Sequence, residues 1–231
     1  MLVKHWMSKP VVTIEATDTI KKAKDLLSKH RIRSMPVMSE EKLVGIVTDR
    51  DLKQASVTQS TSMEAPEVAY LNTRIPVDSL MTEDVISVHP DTTVVEVAKI
   101  LLDKKISGTP VLDESGNVVG MITQGDIFKL LISLTGFETK GLQVAVQIST
   151  ETGTVKEVAN AIRSVGGRIN TLLTSYEGVP DGYRNAFLKV YDVEESRIEE
   201  MIEILKTKST VRYLLEYHGD DQPSKMWVMN V

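Results

Sequence analysis

The sequence predicts a mixed α/β (α+β) chain in which two tandem copies of a strand, helix, strand, strand, helix unit precede a third unit of βαββαβ order. Three observations carry the prediction. Shifting the numbering by 74 lays MSKPVVTIEATDTI, from Met7, on MTEDVISVHPDTTV, from Met81, and HRIRSMPV on KKISGTPV. With one inserted residue near Gly116 the shift becomes 75, and LVGIVTDRDL lies on VVGMITQGDI, so Gly45, Thr48 and Asp51 recur as Gly120, Thr123 and Asp126. A repeat of this length marks a duplicated structural unit. After Gly141 the repeat is lost and a different alternation of strand and helix patterns begins.

Within the second copy, Val94, Val97, Ala98, Leu101 and Leu102 recur at the spacing of one apolar helix face. Thr93-x-x-Glu96 predicts a capping box at its start. TPVLD and VVGMIT then read as strands of a hairpin turned at Ser115-Gly116-Asn117. Between the copies, QSTSMEAPEVAYLNTRIP reads as a linker with room for a short helix. In the third unit LQVAVQI is a strand and Thr154 to Val165 a helix whose apolar face is Val155, Val158, Ala159 and Ile162 and whose cap is Thr154-x-x-Glu157. The strand GRINTLLTS, the turn-rich YEGVPDGYRN, the strand AFLKVYDV, a helix marked by Ile198, Met201, Ile202 and Leu205, and the strand VRYLLEY follow. This order predicts a ferredoxin-like antiparallel sheet with helices on one face. The expected boundaries are 1–58 and 78–136 for the copies, 59–77 for the linker, 142–218 for the third unit and 219–231 for a tail in which Trp227 and Met229 predict packing.

Composition narrows the function classes. Of 231 residues 42% are apolar, enough for a real core, and the net charge of −5 with no Lys/Arg stripe argues against a nucleic-acid binder. There are no cysteines, which excludes disulfides, thiolate metal sites and a cysteine nucleophile. No apolar run approaches the roughly 18 residues needed to span a bilayer, and MLVKHWMSKP lacks the apolar core of a signal peptide, so a cytoplasmic protein without membrane partners is expected. His5, His30, His89 and His218 are scattered without metal-ligand spacing, and no catalytic or phosphate-loop motif is present. A non-enzymatic protein with no required cofactor and no metal is the expectation.

Thr48-x-x-Asp51 and Thr123-x-x-Asp126 carry the chemistry. A threonine at a helix start with an acid three residues on is a capping arrangement. The same helix N-terminus, with unpaired N–H groups and a hydroxyl, also suits a phosphate, while a carboxylate accepting two hydrogen bonds suits the vicinal hydroxyls of a ribose. Cap and nucleotide grip share one geometry.

The GhhTxxD endings, preceded by IRSMPV and ISGTPV and opened by Met-Ser and Met-Thr, resemble the cystathionine β-synthase (CBS) domain, and the two copies resemble a CBS pair, or Bateman module, over roughly residues 1–135. The third unit resembles an ACT domain through its strand order and the Thr152-Gly153-Thr154 turn. Together with TDRDLKQAS in the first copy, this order resembles the AcuB-like acetoin-utilisation regulatory family. The resemblance implies adenosine-type ligands, an adenine nucleotide or S-adenosylmethionine, in clefts between the copies. It places Thr48, Arg50 and Asp51 opposite Thr82, Ile86, Ile106 and Ser107 in one cleft. In the other it places Thr123, Gly125 and Asp126 with Ser8, Val12, Ile32 and Arg33. Arg50 against Gly125 implies unequal clefts. The ACT-like unit implies amino-acid binding near Gly153 and Thr154, although STETGT offers no cation for a carboxylate. A homodimer and a regulated partner enzyme are also implied.

Overall fold

The computed structural model describes residues 1–60, 73–217 and 223–229, and divides into two compact units, Met1–Phe128 and Lys129–Val231. The region expected to hold a short helix between the copies lies mostly outside the described residues.

In the first unit, copy one contains β1 (Ile14–Glu15), α1 (Ile20–His30), β2 (Ser34–Ser39), β3 (Lys42–Thr48) and α2 (Asp49–Ser60). β1 pairs parallel with β2, and β2 antiparallel with β3. Copy two contains α3 (Val94–Lys104), β4 (Gly108–Leu112), β5 (Val118–Thr123) and α4 (Gln124–Thr135). Its expected first strand is reduced to a parallel bridge between Val88 and Val111. The β4–β5 turn forms at the predicted place: Asp113 accepts from the Ser115 and Asn117 amides at 2.9 and 2.8 Å, and Gly116 takes a φ of +82°. The predicted capping box of α3 is present, with Thr93 and Glu96 bonded reciprocally.

One helical position departs from the pattern. Val94, Val97 and Leu101 are buried, but Leu102 is 76% exposed. At 3.6 residues per turn, eight residues beyond Val94 is about 80° around the helix, past the edge of the buried stripe.

The two copies exchange their leading segments. Met1–Ser8 runs along copy two: the Val3 amide donates to Thr92 O, Val94 N donates to Met1 O, and Ser8 and Met121 exchange backbone hydrogen bonds. Val3 and Met7 accordingly belong to the core of copy two, with Val97, Leu101, Val111 and Ile122. Residues 75–82 reciprocate on copy one, where Ile20 N donates to Ile75 O, Val77 N to Asp18 O, and Ile46 and Thr82 exchange both bonds. Val77, Leu80 and Met81 pack there with Ile20, Leu27, Met35 and Val47. The sequence boundary at residue 1 is therefore not the spatial boundary of copy one.

The glycines of the GhhT strings explain the fit. A Cβ on Gly45 would overlap the Met81 sulfur and lie 2.7 Å from its Cγ; a Cβ on Gly120 would meet Met7 in the same way. Each glycine is the seat of a methionine from the exchanged segment.

The second unit holds β6 (Gly141–Ser149), α5 (Thr154–Ser164), β7 (Arg168–Ser175), β8 (Tyr183–Tyr191), α6 (Ile198–Lys206), β9 (Thr210–Tyr217) and β10 (Pro223–Met229). The sheet order is β10-β9-β6-β8-β7, antiparallel throughout. Val158, Ala161 and Ile162 of α5 and Ile198, Met201, Ile202 and Leu205 of α6 pack on Val144, Val146, Leu188, Val190 and Leu214. The expected βαββαβ order is observed, with two corrections. The tail, unplaced from sequence, supplies the edge strand β10, and Trp227 packs against the core. Thr154 does not cap α5: Gly153, at φ +97°, is the N-cap, and the Thr154 hydroxyl donates to Ser149 O and Glu151 O at 2.9 and 3.1 Å. The turn needs the left-handed conformation one residue earlier, which only glycine adopts without cost. The second unit begins at Lys129, within α4, and holds residues 135–139 through hydrogen bonds from Thr171 to Thr135 O and from Asn170 to the Thr139 hydroxyl.

Lys189, on β8, is 3% exposed, and its ammonium has no hydrogen-bond partner among the described residues, lying 4.5 Å above the Tyr217 ring.

Replacing Gly45 by Ala is expected to destabilise the first unit by about 1–3 kcal/mol through overpacking. Met81→Ala should then cost less in that background than alone, a coupling read by a urea double-mutant cycle. For Lys189, burial pushes the ammonium below the usual lysine range. The unfolded chain then keeps a proton that the folded chain has released, so stability rises with pH up to the ordinary value of 10.5. Lys189→Met should stabilise the protein at neutral pH by roughly 1 kcal/mol or more, an advantage that shrinks toward pH ~10 in urea titrations.

Candidate functional site

The site grows from the ends of β3 and β5. Each strand delivers a threonine to the start of a helix, α2 or α4, and each threonine forms a reciprocal cap with the acid three residues on. The Asp51 amide donates to Thr48 Oγ1 at 3.3 Å, while Thr48 N and Oγ1 donate to Asp51 Oδ2 at 2.9 and 2.7 Å. Thr123 and Asp126 repeat this with 3.3, 3.0 and 2.7 Å. In both copies the cap therefore consumes only one carboxylate oxygen, Oδ2.

What happens to the other oxygen separates the copies. Asp126 Oδ1 accepts from Ser8 Oγ at 3.2 Å, and Asp126 is only 5% exposed. Asp51 is half-buried, its Oδ1 has no partner among the described residues, and the hydroxyl of Thr82, the counterpart of Ser8, makes no hydrogen bond to it.

A cavity of about 420 Å³ opens beside Asp51, lined by residues of both copies. Its size falls within the range of roughly 300–1,000 Å³ common for small-molecule sites. Thr48, Arg50, Asp51, Thr82, Ile86, Ile106 and Ser107 all line it, so the seven residues assigned to this cleft are brought together. The exchanged segment is what makes this possible, because the Thr82–Ile46 pairing carries the Thr82–Ile86 stretch to copy one. Thr109, fully buried, donates its hydroxyl to Ile86 O and fixes that stretch from the other side.

Arg33, assigned by resemblance to the other cleft, lines this cavity. Of the remaining residues, Ser8 and Asp126 are bonded to each other, Val12 and Ile32 pack on the core of copy one, and Gly125 is exposed. Asp49, Asp84 and Lys105 also line the cavity and were not singled out from sequence. Lys105 precedes Ile106 and is the repeat counterpart of Arg31; both residues close their helices with a positive φ, 55° and 52°. That shared cap signal was available in the repeat.

Around Gly153 a Cβ would meet nothing within 4 Å, and the Thr154 hydroxyl is spent on turn carbonyls. Among the described residues no cluster of three His, Cys, Asp or Glu could hold a metal, and no helix is long and apolar enough to cross a membrane.

Thr48→Ala and Thr123→Ala should each lower stability by about 1 kcal/mol through loss of the cap, measured by urea unfolding, whatever the cavity binds.

Comparison with known proteins matches the arrangement. A family model described as the CBS domain matches residues 3–58 and 77–133. A CBS domain-containing protein of Dictyostelium discoideum is 36% identical over 137 residues, which cover 58% of this chain and 93% of that one. The CBS domain pair of protein MJ0100, crystallised in complex with 5′-methylthioadenosine and S-adenosyl-L-methionine, is 34% identical with a TM-score of 0.50, covering 58% of this chain and 97% of that one. A Vibrio cholerae protein described as an acetoin utilization protein (AcuB) is 31% identical with a TM-score of 0.50, covering 59% of this chain and 94% of that one. With a tandem pair of these domains in its first part, the chain belongs to the CBS-domain family.

Proposed function

We propose that the chain is a non-enzymatic, cytoplasmic regulatory protein that binds an adenosine-type ligand in the cavity at Asp51 and passes the occupancy of that cavity to a partner enzyme. The observation that carries this reading is the uncommitted Asp51 Oδ1 beside a cavity lined from both copies, at the N-terminus of α2. Thr48 and the helix amides would receive an anionic group. Asp51 would accept from the ribose hydroxyls, and Ile86 and Ile106 would flank the base. The complexes of the MJ0100 pair with 5′-methylthioadenosine and S-adenosyl-L-methionine support an adenosine compound as the class of ligand. Because Ser8 already occupies the equivalent oxygen of Asp126, the expected stoichiometry is one ligand per chain.

The second unit, by its βαββαβ order, is proposed as an ACT-like regulatory domain. The chain is proposed to act as a homodimer, with acetoin metabolism the process suggested by its resemblance to AcuB-like proteins. Regulation requires that the ligand prefer one of two arrangements of the protein; tight binding alone would shift nothing.

Calorimetric titration of the full chain with AMP, ADP, ATP and S-adenosylmethionine is expected to give heat with at least one of them, saturating near one per chain. Asp51→Ala, verified as folded by circular dichroism, should abolish it. Absence of heat from every adenosine compound at millimolar concentration would show that the Thr-x-x-Asp pairs serve only as caps. Sedimentation equilibrium tests the dimer.

A further inference from the structure

We infer that a second copy of the chain docks on the outer face of copy two, across α3 and the N-terminal half of α4, and that the matching face of copy one stays out of this contact. The inference rests on the homodimer reading above and deepens it by naming the face.

With their inner sides α3 and α4 cover the core of copy two, through Val97, Leu101 and Ile127. Their outer sides are apolar as well: Val95, Leu102 and Phe128 are 67%, 76% and 60% exposed. On α3, Val95 and Leu102 lie about two turns apart on one stripe, with half-buried Ala98 between them. Apolar side chains scattered singly over a surface are ordinary, but a stripe along a helix marks an interaction site.

The repeat supplies an internal control. At the same steps copy one carries Lys21, Lys24 and Ser28 on α1 and Lys53 on α2, and Lys21, Ser28 and Lys53 are exposed as their counterparts are. The same unit is thus closed with a polar outer face in one copy and an apolar one in the other, so the fold does not require the stripe.

Its spacing fits a second copy of itself. Laid antiparallel about a two-fold axis at Ala98, α3 meets α3 of the second copy with Val95 on its Leu102 and Leu102 on its Val95. The small side chain of Ala98 lets the helices approach at the axis. The rim is complementary in charge, because Lys99, beside the stripe, comes near Glu96 of the second copy. Each Lys99 is also held by its own Asp103, at 2.9 Å, which offsets the approach of the two lysines. In copy one the same operation would bring Lys24 onto Lys24 at the axis, where like charges repel.

Sedimentation equilibrium of the full chain and of Leu102→Asp, Phe128→Asp and Ser28→Asp, each verified as folded by circular dichroism, tests the face. The unsubstituted chain is expected to be a dimer whose dissociation constant rises at least roughly thirtyfold in Leu102→Asp, since the two-fold axis sets the change in the interface twice. Phe128→Asp should weaken it in the same direction, and Ser28→Asp, at the matching step of copy one, should leave it unchanged. Because the chain has no cysteine, Ala98→Cys places a single thiol near the axis and should form an intermolecular disulfide under mild oxidation, whereas Lys24→Cys should not. A dimer that keeps its dissociation constant in Leu102→Asp, or that crosslinks through Lys24→Cys and not through Ala98→Cys, overturns the inference and leaves the homodimer reading standing. A chain that stays monomeric at every concentration overturns both.

Discussion

The seating of Met7 on Gly120 and of Met81 on Gly45 is the constraint on which the first unit depends. Neither copy closes its own core: copy two is completed by Val3 and Met7, copy one by Val77, Leu80 and Met81. A side chain larger than hydrogen at either glycine would push the returning segment off its strand, and interiors packed at crystal density have little room to absorb the shift. The same exchange brings Thr82 and Ile86 to the helix start at Thr48, so the cavity is a by-product of how the cores are completed.

Dividing the carboxylate resolves the double meaning of Thr-x-x-Asp. One oxygen of Asp51 and of Asp126 holds the helix start, and the second is available for other work. In one copy that work is internal, a bond to Ser8; in the other the oxygen is left beside a cavity. A duplicated motif can in this way keep its structural duty in both copies and differ in everything else.

Much of this was legible in the sequence because it is local or periodic. The repeat exposed the paired caps, the spacing of Ile198, Met201, Ile202 and Leu205 exposed a buried helix face, and Ser115-Gly116-Asn117 exposed a hairpin turn. What stayed hidden depends on distant partners. The exchange of leading segments leaves no mark in local pattern, because Met7 and Gly120 each look like ordinary strand-edge residues. β10 was missed because its pairing with β9 breaks register twice, so its residues do not alternate cleanly. Thr154 misled because the capping pattern fits a threonine either at the cap or one residue inside the helix, and only the +97° φ of Gly153 decides. Arg33 was hard to place because its carbonyl accepts from the Asp49 amide, which sets it beside the start of α2 in its own copy, a pairing that no local pattern records.

The exchanged segment also sets an order of events during synthesis. Met1–Met7 is made before the strand on which it docks, β5, which is among the last parts of the first unit to appear; Ser8 and Asp126 are 118 positions apart. Contacts of such long separation have a loop to close before they repay its entropy, and they slow folding accordingly. This leading segment therefore stays undocked until nearly all of both copies has been made.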